Sequence, residues 1–325
     1  MSVLQELLGP IPVGEFLHRT FSRVPLAMPD RAGRYTTHFT DADFACMVEH
    51  PCSTLRVVRN GHMVQDNAHL SWAEAQDFHR RGHTLLVRHA ERACPKVQAI
   101  AEEFAHFFHS PVDIQVYLTP NHNQAFGWHY DLEEVFIIQV QGCKEYTIRQ
   151  NTLNPLPVWD NMPADLGYER ETSRLCMSCR LEAGDWLYIP SGWWHIARTQ
   201  AESIHLSIGI MPVARLKLFE FLTQYLSHVP FWCERLALVQ PGDKRDSKSA
   251  GLKEDDQHIW QAMRLQLSDI LAQEQTLQAF IAYLAEHKRA HHVDNPVHSA
   301  EDGVRAQNVR IPQEGRGVDL SAIRL

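Results

Sequence analysis

After Pro111 the hydrophobic period of this chain changes, and that change restricts its fold more than any other feature. Val112, Ile114, Val116 and Leu118 alternate with Asp113, Gln115, Tyr117 and Thr119. A second alternation closes the same region, where Ile204, Leu206, Ile208 and Ile210 alternate with Ser203, His205, Ser207 and Gly209. Residues two apart on a strand share a face, so each segment is a strand with one apolar and one polar side. Between them, residues 135–141, 144–149 and 186–189 are further strand-like runs. Short strands joined by turns predict a β-sandwich or barrel. With the apolar faces packed outward on helices, the polar faces are free to line a pocket.

Helical periodicity flanks this region on both sides. Phe16, Leu17, Phe21 and Val24 predict a short amphipathic helix within residues 12–27, before Pro25. Thr40 with Asp43 opens a helix running to Val48, and Ser71 with Glu74 forms a capping box for another, closed by Gly82. Residues 83–87 follow as a strand. Pro95 then suits a first helical turn, and Val97, Ile100, Ala101, Phe104, Phe107 and Phe108 stripe the helix behind it. Beyond Val213, Leu216, Phe219, Leu222, Tyr225 and Leu226 mark one helix face, a polar linker covers 241–251, and helices are predicted over 255–272 and 276–290. The expected class is α+β: a β region with its N-terminal helices over 1–212, a helical module over 213–290, and a polar tail over 291–325.

Composition narrows the function classes. A net charge of −8 argues against nucleic acid as a partner. No apolar run is long enough to span a membrane and no secretory signal opens the chain, so a cytoplasmic protein is expected. Seven cysteines, an odd number, fit buried free thiols better than a disulfide framework. The single pair Cys176 and Cys179 reads as two reduced thiols on a strand or loop.

His129 and Asp131 are two apart, so in extended chain an imidazole and a carboxylate project together. These are two members of a 2-His-1-carboxylate triad, the ligand set of non-haem Fe(II) oxygenases. An H-x-D triplet recurs by chance in a chain with twenty histidines, and His292 with Asp294 in the polar tail is such a decoy. The first pair differs in context, since it follows a strand and precedes the apolar run VFIIQV. The third ligand is expected to be His195, which arrives after a strand and a Pro-Ser-Gly turn; His205 is the competing candidate. Trp128, Trp193 and Trp194 flank these ligands and either wall the pocket or pack in the core. On the strand after Gly142, predicted to pair back onto VFIIQV, Lys144, Tyr146 and Ile148 share a face. If that face points inward, the Lys144 ammonium needs an anion, and a dicarboxylate co-substrate would supply it.

The order VYLTP, GWHYDLEEVFIIQVQGCKEYTI, CRLEAGDWLYIPSGWWHIA, SIHLSIGI resembles the Jumonji-C (JmjC) oxygenases, and most of all their ribosomal-protein hydroxylase branch of cupin-4 type. The likeness is specific over residues 112–210 and visible again in FLHRTFSRVPLAM near the start. It implies a double-stranded β-helix (a cupin/JmjC jelly roll) in which Fe(II) is held by His129, Asp131 and His195. It implies 2-oxoglutarate anchored by Lys144, with O2 as the other co-substrate. Tyr117 matches a residue that lines the co-substrate site in relatives. Gln115 stands where relatives carry Asn, and Ser207 lies two residues before Gly209, which occupies the position of a hydroxyl residue. The helices over 213–290 would correspond to a dimerisation region, making a homodimer, or would pack their apolar face onto their own barrel. Residues 291–325 are too short and polar for the winged helix that relatives carry.

The resemblance implies hydroxylation of a C–H bond, with an amino-acid side chain in a protein or peptide as the leading substrate class. The same chemistry on a small molecule, or N-demethylation, is the alternative. A non-catalytic metal-binding cupin scaffold is the alternative from another class.

Overall fold

The structure is a computed structural model and describes residues 2–36, 39–163, 165–211, 213–234 and 254–287. It opens with helices α1 (Val3–Leu8) and α2 (Val13–Arg19), strand β1 (Leu26–Met28), and helices α3 (Gly33–Thr36) and α4 (Asp41–Glu49). A hairpin of β2 (Thr54–Arg59) and β3 (His62–Ala68), helix α5 (Trp72–Arg80), strand β4 (Thr84–Arg88) and helix α6 (Pro95–Phe108) follow. The barrel strands are β5 (Val112–Thr119), β6 (Glu134–Gln141), β7 (Cys143–Arg149), β8 (Leu175–Glu182), β9 (Trp186–Ile189), β10 (Trp194–Thr199) and β11 (Ser203–Ile210). Helices α7 (Lys217–Leu226), α8 (Pro230–Cys233), α9 (Glu254–Ala272) and α10 (Glu274–His287) complete the described chain.

Local chemistry accounts for the element ends. Thr40 and Asp43 cap α4 reciprocally, as Ser71 and Glu74 cap α5. The first predicted helix is shorter than its periodicity suggested: it stops at Arg19, and Leu17 and Val24 are exposed. The β2–β3 hairpin was not foreseen. Its signal is the Asn60-Gly61 pair, both residues at positive φ, the turn chemistry a two-residue hairpin requires.

One sheet has eight strands in the order β1-β9-β6-β11-β5-β4-β2-β3, and the other has three, β10-β7-β8. The pleat separates the two faces of the large sheet. Val112, Ile114, Val116, Phe136, Leu206 and Ile208 turn to one side and join Leu4, Phe16 and Phe104 of the helices in the main core. Phe136 is fully buried against Phe104, Tyr188 and Trp186, at ring-centroid distances of 5.3, 5.0 and 5.8 Å. Burying such a side chain contributes about 1.5–3 kcal/mol. The Trp186 indole N–H donates to the Leu7 carbonyl at 2.9 Å, tying α1 to the sheet. From the opposite face Val135, Ile137, Leu187 and Ile189 meet Tyr146, Ile148 and Leu181 of the small sheet. This is the jelly-roll sandwich with flanking helices.

The strand carrying Lys144 does not fold back onto VFIIQV. β6 is paired on both edges, by β11 and β9, so β7 has no edge to join and pairs instead with β10 and β8. Gly142 makes the corner that carries the chain between sheets. Its φ is 68°, and a Cβ there would lie 1.9 Å from the Glu202 carbonyl oxygen. The cysteines also depart from expectation. All seven are free, but only Cys94 and Cys143 are buried, and Cys176 and Cys179, three apart on β8, point to opposite faces. The expected linker over 241–251, the tail over 291–325 and the decoy at His292 lie outside the described residues.

Candidate active site

The polar faces of β5 and β11 look across the sandwich at β7 and β10, and a pocket opens between them. Of the residues singled out from the sequence, its lining includes His129, Asp131, His195, Lys144, Tyr117, Gln115, Ser207 and His205.

His129 and Asp131 do not sit on a regular strand. His129 forms an isolated antiparallel bridge with His195, with N–H to carbonyl distances of 3.2 and 2.8 Å in the two directions. The Pro-Ser-Gly turn is docked beside it by a 2.9 Å bond from the Gly192 N–H to the Asp131 carbonyl. One backbone bridge therefore sets the spacing of the two imidazoles, whose ring centroids lie 4.2 Å apart. Each ring is oriented by its Nδ1, which stands 2.8 Å from the Gly127 carbonyl in His129 and 3.0 Å from the Trp193 carbonyl in His195. Both are contacts two residues back along the chain. With Nδ1 the donor to a carbonyl, Nε2 keeps its lone pair. Nε2 of His195 stands 3.5 Å from an Asp131 carboxylate oxygen, and one donor atom from each of the three residues lies within 4.8 Å of the others. Burial, reinforced by the neighbouring His129, pulls the His195 pKa down to about 4 although Asp131 opposes the shift. The ring is neutral at physiological pH, as a metal ligand must be.

Lys144 is 2 % exposed. Its ammonium donates to Thr119 Oγ1 at 3.3 Å and to His205 Nδ1 at 3.2 Å, with the Tyr117 ring centroid 5.4 Å away. These neighbours are neutral, since burial and Lys144 itself hold the His205 pKa well below its ordinary value. Burial in turn lowers the Lys144 pKa from 10.5 to about 7. Tyr117 stacks on His205 at 4.5 Å and donates its hydroxyl to Gln115 at 2.9 Å. His205, the competing third ligand, thus lies against the lysine and outside the imidazole–carboxylate triad.

Tyr146 escaped the sequence reading as a site residue. It lines the pocket two residues beyond Lys144, and its hydroxyl is buried without a hydrogen-bond partner; the shared strand face was the available signal. Trp159 and Met162, which reach the pocket from the loop between β7 and β8, gave none. The three tryptophans beside the ligands do not line it. Trp128 stacks on Tyr168 at 4.4 Å, Trp193 packs against the inter-sheet core, and Trp194 is buried with its N–H on Glu171 at 3.0 Å.

Comparison with known proteins agrees with this architecture. Residues 87–218 match the family model described as the JmjC domain. The chain is 33 % identical over 140 residues to the bifunctional lysine-specific demethylase and histidyl-hydroxylase NO66 of Drosophila persimilis, covering 43 % of this chain and 19 % of that protein. It is 25 % identical over 279 residues to ribosomal oxygenase 1 of Gallus gallus, covering 78 % and 46 %, and 27 % identical over 223 residues to ribosomal oxygenase 2 of Rattus norvegicus, covering 64 % and 47 %. The chain therefore spans less than half the length of each of these curated relatives. Among solved structures, Escherichia coli ycfD superposes with a TM-score of 0.61 at 18 % identity, over 84 % of this chain and 71 % of that one. A structure of the same ribosomal oxygenase in complex with cobalt and 2-oxoglutarate gives 0.59 at 17 % identity, over 85 % and 71 %. Over residues 87–218 the chain is therefore similar to JmjC domains. Among the proteins that share this likeness are the ribosomal oxygenases and NO66.

Proposed function

We propose that this protein is an Fe(II)- and 2-oxoglutarate-dependent oxygenase that hydroxylates an amino-acid side chain of a protein substrate. The observation that carries the reading is one pocket holding both parts the chemistry needs: two imidazoles and a carboxylate converging within 4.8 Å, and a buried ammonium facing neutral neighbours. The donor set fits the metal. Two neutral nitrogens and one carboxylate oxygen are the facial triad of non-haem iron, which leaves positions open. The co-substrate fits as well, because Lys144 lacks an anion among its hydrogen-bond partners and the Tyr146 hydroxyl lacks any partner. A carboxylate of a bound dicarboxylate would satisfy both.

His129, Asp131 and His195 would hold the iron, with Gly127 and Trp193 fixing the imidazoles through their carbonyls. Lys144 and Tyr146 would bind the far carboxylate of 2-oxoglutarate. Gln115, Tyr117 and Ser207 would line its path. With iron, 2-oxoglutarate and O2 in place, the centre supplies the oxidising power to convert a substrate C–H bond to an alcohol while the keto acid leaves as succinate and CO2. The chain's own contribution is alignment and exclusion of water. The names of the relatives point to a ribosomal protein, with a histidyl side chain as one target. N-demethylation, also present in a relative's name, uses the same hydroxylation step. Exposed Phe219, Trp260 and Leu265 on α7 and α9 suit a second copy of the chain.

The test is anaerobic addition of Fe(II) and 2-oxoglutarate to the purified protein. A weak visible charge-transfer band is expected, and its absence in iron-loaded protein would sink the co-substrate assignment. Incubation with ribosomal proteins under air should then add the mass of one oxygen atom to a target peptide, with succinate formed alongside.

A further inference from the structure

His89, Glu91 and Asp113 form a second cluster of convergent donors, outside the triad. His89 ends β4 in the left-handed region, at φ 52° and ψ 40°, a conformation that costs a non-glycine residue about 1 kcal/mol or more and persists only where the surroundings impose it. Glu91 lies in the 3-10 turn that follows, and Asp113 comes from β5. All three side chains are largely buried, at 11, 12 and 16 % exposure. Each carboxylate is anchored through one oxygen. Glu91 Oε2 accepts the Ile114 N–H at 3.1 Å, and Asp113 Oδ2 accepts the Gln115 amide at 3.4 Å. The remaining oxygens turn toward His89 Nδ1, at 3.9 Å for Glu91 Oε1 and 2.8 Å for Asp113 Oδ1.

The short contact is an ion pair: burial pushes the Asp113 pKa up, but the His89 hydrogen bond and charge prevail and lower it. The length of the contact is close to the ~2.9 Å edge between two donors that hold one ion at right angles with bonds of ~2.0–2.1 Å. Two carboxylates share the buried space, and burial with the Asp113 charge raises the Glu91 pKa. Arg92, 3.6 Å from Glu91 Oε1, and Arg88 offset part of that charge, which sets an affinity below that of the triad. Donor atoms anchored from behind and converging in front are the arrangement metal ligands show.

We propose that His89 Nδ1, Glu91 Oε1 and Asp113 Oδ1 bind a second divalent cation of borderline hardness, such as Mn(II), Co(II) or Zn(II), with water completing its shell. The ion would pin the end of β4 and the 3-10 turn to the start of β5. That strand presents Gln115 and Tyr117 to the pocket, so the ion is structural and acts on the pocket through β5.

The experiment is metal stoichiometry on the full chain, stripped by chelator and titrated with Mn(II) by electron paramagnetic resonance and with Zn(II) by calorimetry. Wild type should bind two equivalents, the second more weakly. The His129→Ala/His195→Ala variant should keep one equivalent and gain thermal stability on adding Mn(II). Asp113→Asn or Glu91→Gln in wild type should lose the weaker equivalent and keep the tighter one. A single equivalent in wild type, unaffected by Asp113→Asn, would overturn the proposal. If the one equivalent is instead lost with Asp113→Asn and kept by the histidine variant, the iron assignment fails and this site stands. The isosteric single variants keep the test decisive should the histidine variant not fold.

Discussion

Lys144→Met separates what the buried lysine costs the fold from what it contributes to binding. The ammonium is 2 % exposed and its nearest partners, Thr119, His205 and the Tyr117 ring, carry no negative charge. Its pKa falls from 10.5 to about 7 through burial. At about 1.4 kcal/mol per pH unit, holding this group charged in the ligand-free pocket costs on the order of 5 kcal/mol. The direction follows from proton counts. An unfolded lysine keeps its proton to about pH 10.5 and the folded one loses it near 7, so between these values the unfolded state binds more protons and stability rises with pH. Below pH 7 the full penalty applies. Methionine fills similar volume without charge. Ligand-free Lys144→Met should be more stable at pH 7 by ~1–4 kcal/mol, and its stability should rise less from pH 7 to 10. Its affinity for 2-oxoglutarate should fall roughly 10- to 150-fold, the worth of a hydrogen bond to a charged group at ~1.5–3 kcal/mol. Urea unfolding at pH 7 and 9 measures the first effect. Calorimetry of 2-oxoglutarate at pH 8 in two buffers of different ionisation enthalpy measures the second. Wild type should take up most of a proton on binding, because its free lysine is mostly neutral there. A destabilised Lys144→Met with unchanged affinity and no proton uptake in wild type would refute the reasoning.

His195→Ala should abolish Fe(II)-dependent succinate formation while leaving the far-UV circular dichroism unchanged; retained turnover would remove His195 from the ligand set. Gly142→Ala should cost at least ~1–2 kcal/mol, since the new methyl meets the Glu202 carbonyl at positive φ, and urea titration reads it directly. Glu171 joins the β7–β8 loop to Trp194: burial pushes its pKa up, but hydrogen bonds from Thr152, Ser173 and Trp194 prevail and bring it to about 2. A depressed carboxylate stabilises the fold above its unfolded pKa near 4.5 and loses that contribution as pH falls toward 2. Glu171→Gln should therefore unfold with less acid dependence over that range, followed by tryptophan fluorescence. Light scattering should give the mass of a dimer, and substituting Phe219 with Asp should shift it toward the monomer.

Strand identity and the inward polar faces were legible in the sequence because they rest on periodicity, while His195 was joined to His129 and Asp131 by its turn context and the family resemblance. A period of two assigns faces without knowledge of partners, so Lys144, Tyr117 and Gln115 could be placed on one side of their strands. Capping residues marked α4 and α5 for a similar reason, since a cap is satisfied within four residues. What failed was pairing. Nothing local says that β6 is saturated by β9 and β11, so the strand after Gly142 seemed to return to its neighbour when it crosses to the other sheet.

Contacts between distant segments belong to the tertiary structure alone. The backbone bridge from His129 to His195 joins residues 66 positions apart, and only the closed sandwich makes it. Depth decides the chemistry of Lys144, because desolvation and the approach of Thr119 and His205 come from packing. The same holds for His89, Glu91 and Asp113, which no motif unites until β4 pairs with β5. Sequence by itself determined which side chains face the interior, through the geometry of the extended chain. Tertiary structure decided which of them meet and how dry their surroundings are, since both depend on strands brought together from far along the chain.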